Sequence, residues 1–192
     1  MSGPAYDAVV LAGGSARRLG GRDKPGELVG GVTLLERVLA GVPDAGRRIV
    51  VGPIRPVTRP VVWVREEPPG GGPVAGLAAG VAQVTAPLLV LLAADLPFVT
   101  ATVVRRLIAA VTADGVLITD ADGRDQPLLS AWRTDALQAA VDELPAPAGR
   151  PLGQLLGGLA VTRLSWPAEP GVPPVWLDCD TEAELQAARE LA

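Results

Sequence analysis

The chain has 192 residues, 48% of them hydrophobic and 20% charged, with a formal net charge of −4. That length and composition suit one domain with a substantial core and exclude a disordered chain, and the acidic balance argues against a protein that tracks nucleic acid by bulk electrostatics. There is no histidine and a single cysteine, Cys179, which excludes Ser-His-Asp and Cys-His catalysis, histidine metal ligands, an internal disulfide and a CxxC zinc site.

The first apolar run, Ala8 to Ala12, ends at a glycine pair and reads as a buried parallel strand. A Gly/Arg-rich loop follows. Thr33 to Val42 is predicted helical, with Leu34, Leu35, Val38, Leu39 and Val42 on one face and Thr33 with Glu36 as a capping box. Arg48 to Gly52 and Val61 to Val64 are the next strands. Val74 to Ala94 carries no charge and is long enough to span a bilayer. Its helical spacing over Val74, Leu77, Ala78, Val81 and Val84, a break at Pro87, and a strand-length run from Leu88 instead predict helix, turn and buried strand. Thr100 caps a helix whose Val104, Leu107, Ile108 and Val111 face inward, and Gly115 to Thr119 is another strand. Strands are expected over Leu128 to Trp132, Val161 to Leu164 and Val175 to Leu177. Helices are expected over Thr134 to Leu144 and from Thr181, where Glu184 completes a second capping box. Pro145 to Pro151 is a loop. The alternation predicts a single-domain, Rossmann-like α/β/α fold with a mostly parallel sheet. Met1 to Asp7 lacks a basic region followed by an apolar stretch, so no signal peptide and no membrane span are expected, and the cytoplasm is the expected location.

Four segments carry chemistry. In the first, Leu11, Ala12, Gly13 and Gly14 close a strand, where open α/β sheets place ligands. Arg17, Arg18, Arg22 and Lys24 then put four positive charges within eight residues. Glycines beside basic residues make a polyphosphate cradle. The spacing is neither G-x-x-x-x-G-K-S/T nor G-x-G-x-x-G. Lys24 is the one lysine among seventeen basic residues, which points to a site that needs a compact charge. In the second segment, Glu66 and Glu67 precede a Pro/Gly loop, and Gly72, Pro73 and Gly76 open a helix whose free amides can face an anion. In the third, Asp95 ends a buried strand, a position suited to magnesium, which takes one or two carboxylates plus phosphate oxygens and water. The fourth is Asp178-Cys179-Asp180-Thr181, before the last helix. Asp120, Asp122 and Asp125 miss the calcium-loop spacing and read as a turn. Cys179 and the four tryptophans are expected to pack.

LAGGSARRLGGRDKP, residues 11–25, resembles the signature loop of the nucleotidyltransferase superfamily in its molybdenum cofactor guanylyltransferase (MobA-type) form, with the Asp23-Lys24 pair favouring that branch. The resemblance implies the nucleotide-diphospho-sugar transferase type of fold. It extends to the acidic residue before G-P-V-A-G, with Glu67 as the nearest match, and to D-x-P at Asp95, whose family counterpart holds Mg²⁺. It also covers the C-terminal N-x-N-T-P segment, here with Asp178 and Asp180 in place of asparagines, and the Q-P-L of Gln126. The asparagine that often follows the family's second strand has no counterpart, since the chain contains none.

On this resemblance GTP lies in the Gly13-Gly14 loop with Mg²⁺ on Asp95, and Asp180 completing the metal site. Leu11, Ala12, Arg18, Glu67, Gly72, Pro73 and Gly76 join Lys24 in holding the nucleotide. Arg17, Lys24 and Asp95 serve catalysis, and Gln126, Arg150 and Asp178 face a pterin phosphate acceptor. The implied reaction transfers GMP to molybdopterin and releases pyrophosphate by positioning and electrostatics, without a covalent intermediate. Molybdoenzyme-maturation proteins are the implied partners of a monomer or weak oligomer. Alternatives are a cytidylyltransferase, a guanylyltransferase for another phosphorylated small molecule, and an inactive nucleotide-binding regulator.

Overall fold

The computed structural model describes residues 4–13, 22–167, 169 and 171–192. A seven-stranded sheet is built from β1 (Tyr6–Leu11), β4 (Arg48–Val51), β5 (Val62–Val64), β6 (Leu88–Ala93), β7 (Gly115–Thr119), β8 (Asp125–Arg133) and β9 (Val161–Ser165). Its order is β5-β4-β1-β6-β8-β7-β9. Every neighbouring pair is parallel except those made by β8, which runs antiparallel to both β6 and β7. A two-stranded ribbon, β2 (Leu28–Val29) and β3 (Val32–Thr33), lies apart from the sheet.

The period-2 alternation of β1 sends its side chains into two cores. Ala8 and Val10 pack with Leu35, Val38 and Leu39 of α1 (Leu34–Ala40) and with Val103, Val104, Leu107 and Ile108 of α3 (Ala101–Ala109). Val9 packs on the other face with α2 (Gly72–Val81), α4 (Thr134–Asp142) and α5 (Leu152–Leu156). α6 (Glu182–Glu190) and Cys179 close a third, smaller cluster with Val29 and Leu34. No helix among the described residues is long and apolar enough to cross a membrane.

Small residues let layers approach. A Cβ at Gly80 would lie 2.5 Å from Val9 Cγ1, so α2 sits directly on β1. A Cβ at Gly115 would lie 2.2 Å from Cε3 of Trp132, a fully buried ring whose Nε1 donates to Ser130 Oγ at 2.7 Å. That ring has no room to yield. Gly115→Ala is therefore expected to cost about 1–3 kcal/mol by overpacking, read as a lowered urea midpoint at constant slope.

The structure departs from the expected elements at the 28–33 ribbon and in three further places. Val175 to Leu177 forms no strand: Pro173 and Pro174 offer no N–H groups, and Leu177 closes a turn by donating to Pro174 O. The Thr33 capping box is only half made. Thr33 accepts from Glu36 N, but the Glu36 carboxylate turns away to Thr58 N and Arg59. Its acceptors are needed by a loop that has no strand or helix to satisfy its donors. Third, α5 stands directly after the expected 145–151 loop, its Leu152, Leu155 and Leu156 buried. The Thr181–Glu184 capping box is present in full.

Candidate active site

The C-terminal ends of β1, β4 and β6 are laced together. Ala12 N donates to Val51 O at 2.8 Å, Ala94 N to Leu11 O at 3.0 Å, and Gly52 N to Val64 O at 2.9 Å. Gly52 holds φ at +146°, and a Cβ there would meet the Ala12 carbonyl at 2.8 Å, so only glycine permits the lacing. Gly13 is a different case. Among the described residues, a Cβ would meet nothing closer than the Glu66 carboxylate at 3.8 Å. Packing against those residues does not require glycine at that position, which suits the close approach of a ligand.

Glu66, not Glu67, borders that position. Its Oε1 accepts from Gly70 N at 3.0 Å, while Glu67 is exposed and its side chain makes no hydrogen bond or ion pair among the described residues. β5 ends at Val64, and in the loop beyond it the Glu66 carboxylate turns back onto Gly70 N while Glu67 faces outward. The loop enters α2 through Gly72 at φ +85° and Pro73, with Gly76 one turn on. Gly149 N donates to Gly71 O at 2.8 Å, which sets Arg150 beside this entry. The Arg150 guanidinium is spent locally, on Ala146 O and Gln154, and pairs with neither Gln126 nor Asp178.

Lys24 opens a single 3-10 turn, Lys24–Gly26, whose preceding Asp23 is gripped by Arg55: Nε and the terminal nitrogen donate to Asp23 Oδ1 at 2.8 and 2.6 Å. The Lys24 ammonium ion-pairs with Asp95 Oδ2 and donates to Asp180 Oδ1. Burial opposes the charge, but the Asp95 and Asp180 carboxylates outweigh it and hold Lys24 above the ordinary lysine pKa. Asp95 Oδ1 is buried with no hydrogen-bond partner. The Asp178–Asp180 segment alternates: Cys179 is buried in the third cluster, and its neighbours turn outward. Partial desolvation, then the charges of Asp95, Asp180 and Glu184, push the Asp178 carboxyl up to about 6. Burial pushes the Cys179 thiol up to about 12, so it packs and does not react.

Gln126 lies at the start of β8, at the same edge of the sheet. Its Nε2 donates to Asp120 Oδ2 at 3.1 Å, while Asp120 Oδ1 accepts from Asp122 N and Arg124 N. The acidic run is thus the expected turn, and it fixes the Gln126 amide. The fold brings Lys24, Asp95, Asp178 and Asp180 together and leaves Arg150 apart. Gly14, Arg17 and Arg18 lie outside the described residues. Sequence reasoning overlooked Arg55 and Glu66, and nothing local marks either: Glu66 lies in a loop beyond β5 and Arg55 meets Asp23 from 32 residues away. A groove of 1130 Å³ between α1 and the segments 56–59, 97–103 and 166–175 is lined by none of the candidate residues.

Among the described residues no three acidic, Cys or His side chains close into a metal cage. What stands there is an open pair, Asp95 and Asp180, one bearing an unsatisfied buried oxygen. Such an oxygen set fits a hard divalent cation that keeps waters and takes phosphate oxygens.

The profile of the MobA-like NTP transferase domain matches residues 8–159. The molybdenum cofactor guanylyltransferase of Bradyrhizobium sp. (strain ORS 278) is 30% identical over 98% of this chain and 93% of its own. A probable molybdenum cofactor guanylyltransferase of Mycobacterium tuberculosis (strain ATCC 25618 / H37Rv) is 34% identical over 81% of each. Among solved structures, molybdopterin-guanine dinucleotide biosynthesis protein A of Archaeoglobus fulgidus superposes with a TM-score of 0.71 at 19% identity, covering 96% of this chain and 97% of that one. A Mycobacterium tuberculosis protein crystallised as a complex with manganese superposes at 0.68 with 21% identity, covering 98% of this chain and all of that one. These likenesses span the strands and loops that assemble the Lys24 site, and the chain belongs to the MobA-like NTP transferase family of nucleotidyltransferases.

Proposed function

We propose that this nucleotidyltransferase is a molybdenum cofactor guanylyltransferase, which transfers GMP from GTP to molybdopterin and releases pyrophosphate in the cytoplasm. The observation that carries the reading is the meeting of Lys24, Asp95 and Asp180 at the carboxyl ends of the sheet's central strands, in a chain whose relatives at 30% and 34% identity are named guanylyltransferases or probable ones.

Leu11, Ala12, Gly13 and Gly14 form the cradle under the triphosphate, and Gly72, Pro73 and Gly76 present the start of α2 to the nucleotide. Glu66 takes the acidic position in that pocket that the resemblance alone gave to Glu67. Asp95 and Asp180 would hold Mg²⁺, which when bound neutralises charge on the phosphates. Lys24, with Arg17 and Arg18, stabilises the charge that grows on the departing pyrophosphate. The acceptor's terminal phosphate is already ionised, so no general base is needed and the absence of histidine carries no penalty. Gln126, its amide fixed by Asp120, offers Oε1 to the acceptor, and Asp178 lines the same side. Arg150, held beside Gly71, reaches the acceptor only by releasing Ala146 and Gln154. Partners that receive the product would be molybdoenzyme-maturation proteins.

Thermal melts with GTP, ATP, CTP and UTP, each with Mg²⁺ or EDTA, test the donor. A nucleotide at a hundred times its Kd stabilises by about 2.7 kcal/mol. The expected result is a Mg²⁺-dependent shift selective for GTP. A preference for CTP would move the assignment to a cytidylyltransferase, and binding without pyrophosphate release in the presence of molybdopterin would make the chain a regulator.

A further inference from the structure

The Lys24 ammonium stands between the two carboxylates that the functional reading assigns to a divalent cation, touching Asp95 Oδ2 and Asp180 Oδ1. Asp95 is largely buried, its side chain 17% exposed, and Asp178 adds a third negative charge to the neighbourhood. Carboxylates gathered in a partly desolvated site repel one another, so a cation is required to hold them. In the nucleotide-free protein Lys24 supplies it. The arrangement is built so that only the stem need move: Arg55 fixes Asp23, and the 3-10 turn fixes the Lys24 backbone. An ammonium on a four-carbon stem can leave such a seat, where a forked arginine would bind both carboxylates at once.

We propose that Lys24 is the resting occupant of the cation site. Its ammonium and a divalent cation compete for Asp95 and Asp180, and the nucleotide ends the competition by offering the ammonium its triphosphate. The inference rests on the proposed cation site and adds a coupling to it: cation and nucleotide each favour the other's entry, a positive coupling that must be reciprocal. It gives the chain's one lysine two seats, carboxylates when empty and phosphates when loaded.

The test is Mn²⁺ binding to the purified full chain, read as free Mn²⁺ by electron paramagnetic resonance, without nucleotide and with GTP, the latter corrected by a protein-free titration of the same GTP. Lys24→Ala, and Lys24→Met to keep the aliphatic stem, should each bind Mn²⁺ at least about tenfold more tightly than wild type when nucleotide is absent. GTP should tighten Mn²⁺ binding more in wild type than in either variant. Asp95→Asn should weaken Mn²⁺ binding throughout. Folded Lys24 variants that bind Mn²⁺ no better than wild type would overturn the competition while leaving the cation site standing. Loss of Mn²⁺ binding in every protein, with or without GTP, would overturn the site itself, and the proposal with it.

Discussion

Asp95→Asn is expected to lower nucleotidyl transfer by about a hundredfold or more, a barrier increase of about 2.7 kcal/mol, with the fold intact. Asp95 lies two residues past the end of β6, the central strand of the sheet, and one of its oxygens is buried without a partner among the described residues while the other meets Lys24. The neutral amide keeps the shape but removes the charge that both the ammonium and a cation need. Lys24→Ala should fall at least about tenfold, or 1.4 kcal/mol, because Arg17 and Arg18 remain in the same loop. Both are measured as pyrophosphate released from GTP in the presence of acceptor, beside a melting curve of each variant. A folded Asp95→Asn protein with undiminished turnover would refute the mechanism as drawn.

The largest expected loss of stability lies at the opposite end of the sheet. Asp7 is 1% exposed, and its carboxylate accepts from Arg47 N at 2.8 Å, Thr85 N at 2.7 Å, Ala86 N at 3.1 Å and Thr85 Oγ1 at 3.3 Å. One side chain thus satisfies the turns that precede β4 and β6, the two strands flanking β1. Asp7→Ala leaves three backbone donors without their acceptor, and each such buried group costs about 1–3 kcal/mol. Water entering the space left by the side chain recovers part of that sum, so the expected loss is about 3 kcal/mol or more. Asp7→Asn keeps one acceptor oxygen and should lose roughly half as much. Urea unfolding followed by circular dichroism reads both. A midpoint for Asp7→Ala within error of wild type would mean that the turns hold without the carboxylate. Asp7 lies at the amino end of β1 and the proposed nucleotide site at its carboxyl end, so the surviving folded fraction should retain its turnover per molecule.

The two sites differ in how far the sequence disclosed them. Asp95 could be picked out because a carboxylate at the end of an apolar strand has no packing use. Asp7 could not, since an acid at the start of a strand reads as a surface residue until two distant turns are known to converge on it. The same distinction separates Lys24 from its partners. Lysine among sixteen arginines is visible in the composition; that it meets Asp180, 156 residues later, is not. Glu66 and Glu67 are equivalent as letters, and only the folded loop after β5 turns one of them to Gly13. Glu36 forms half of a convincing capping box by spacing, yet the loop at Thr58 and Arg59 claims its carboxylate.

The sequence by itself determined the local elements and the chemistry available to them. Apolar periods set most strands and helices, Thr33, Thr100 and Thr181 set three helix starts, and the glycine, lysine and carboxylate segments set a phosphate-handling palette, because each of these rests on interactions within a few residues. The tertiary structure alone decided the antiparallel insertion of β8, the failure of residues 175–177 to pair as a strand, and the closure of Asp178 and Asp180 onto Lys24. These depend on which strand edges remain open and which buried donors remain unsatisfied once the core has formed, and neither quantity exists until distant segments are in contact.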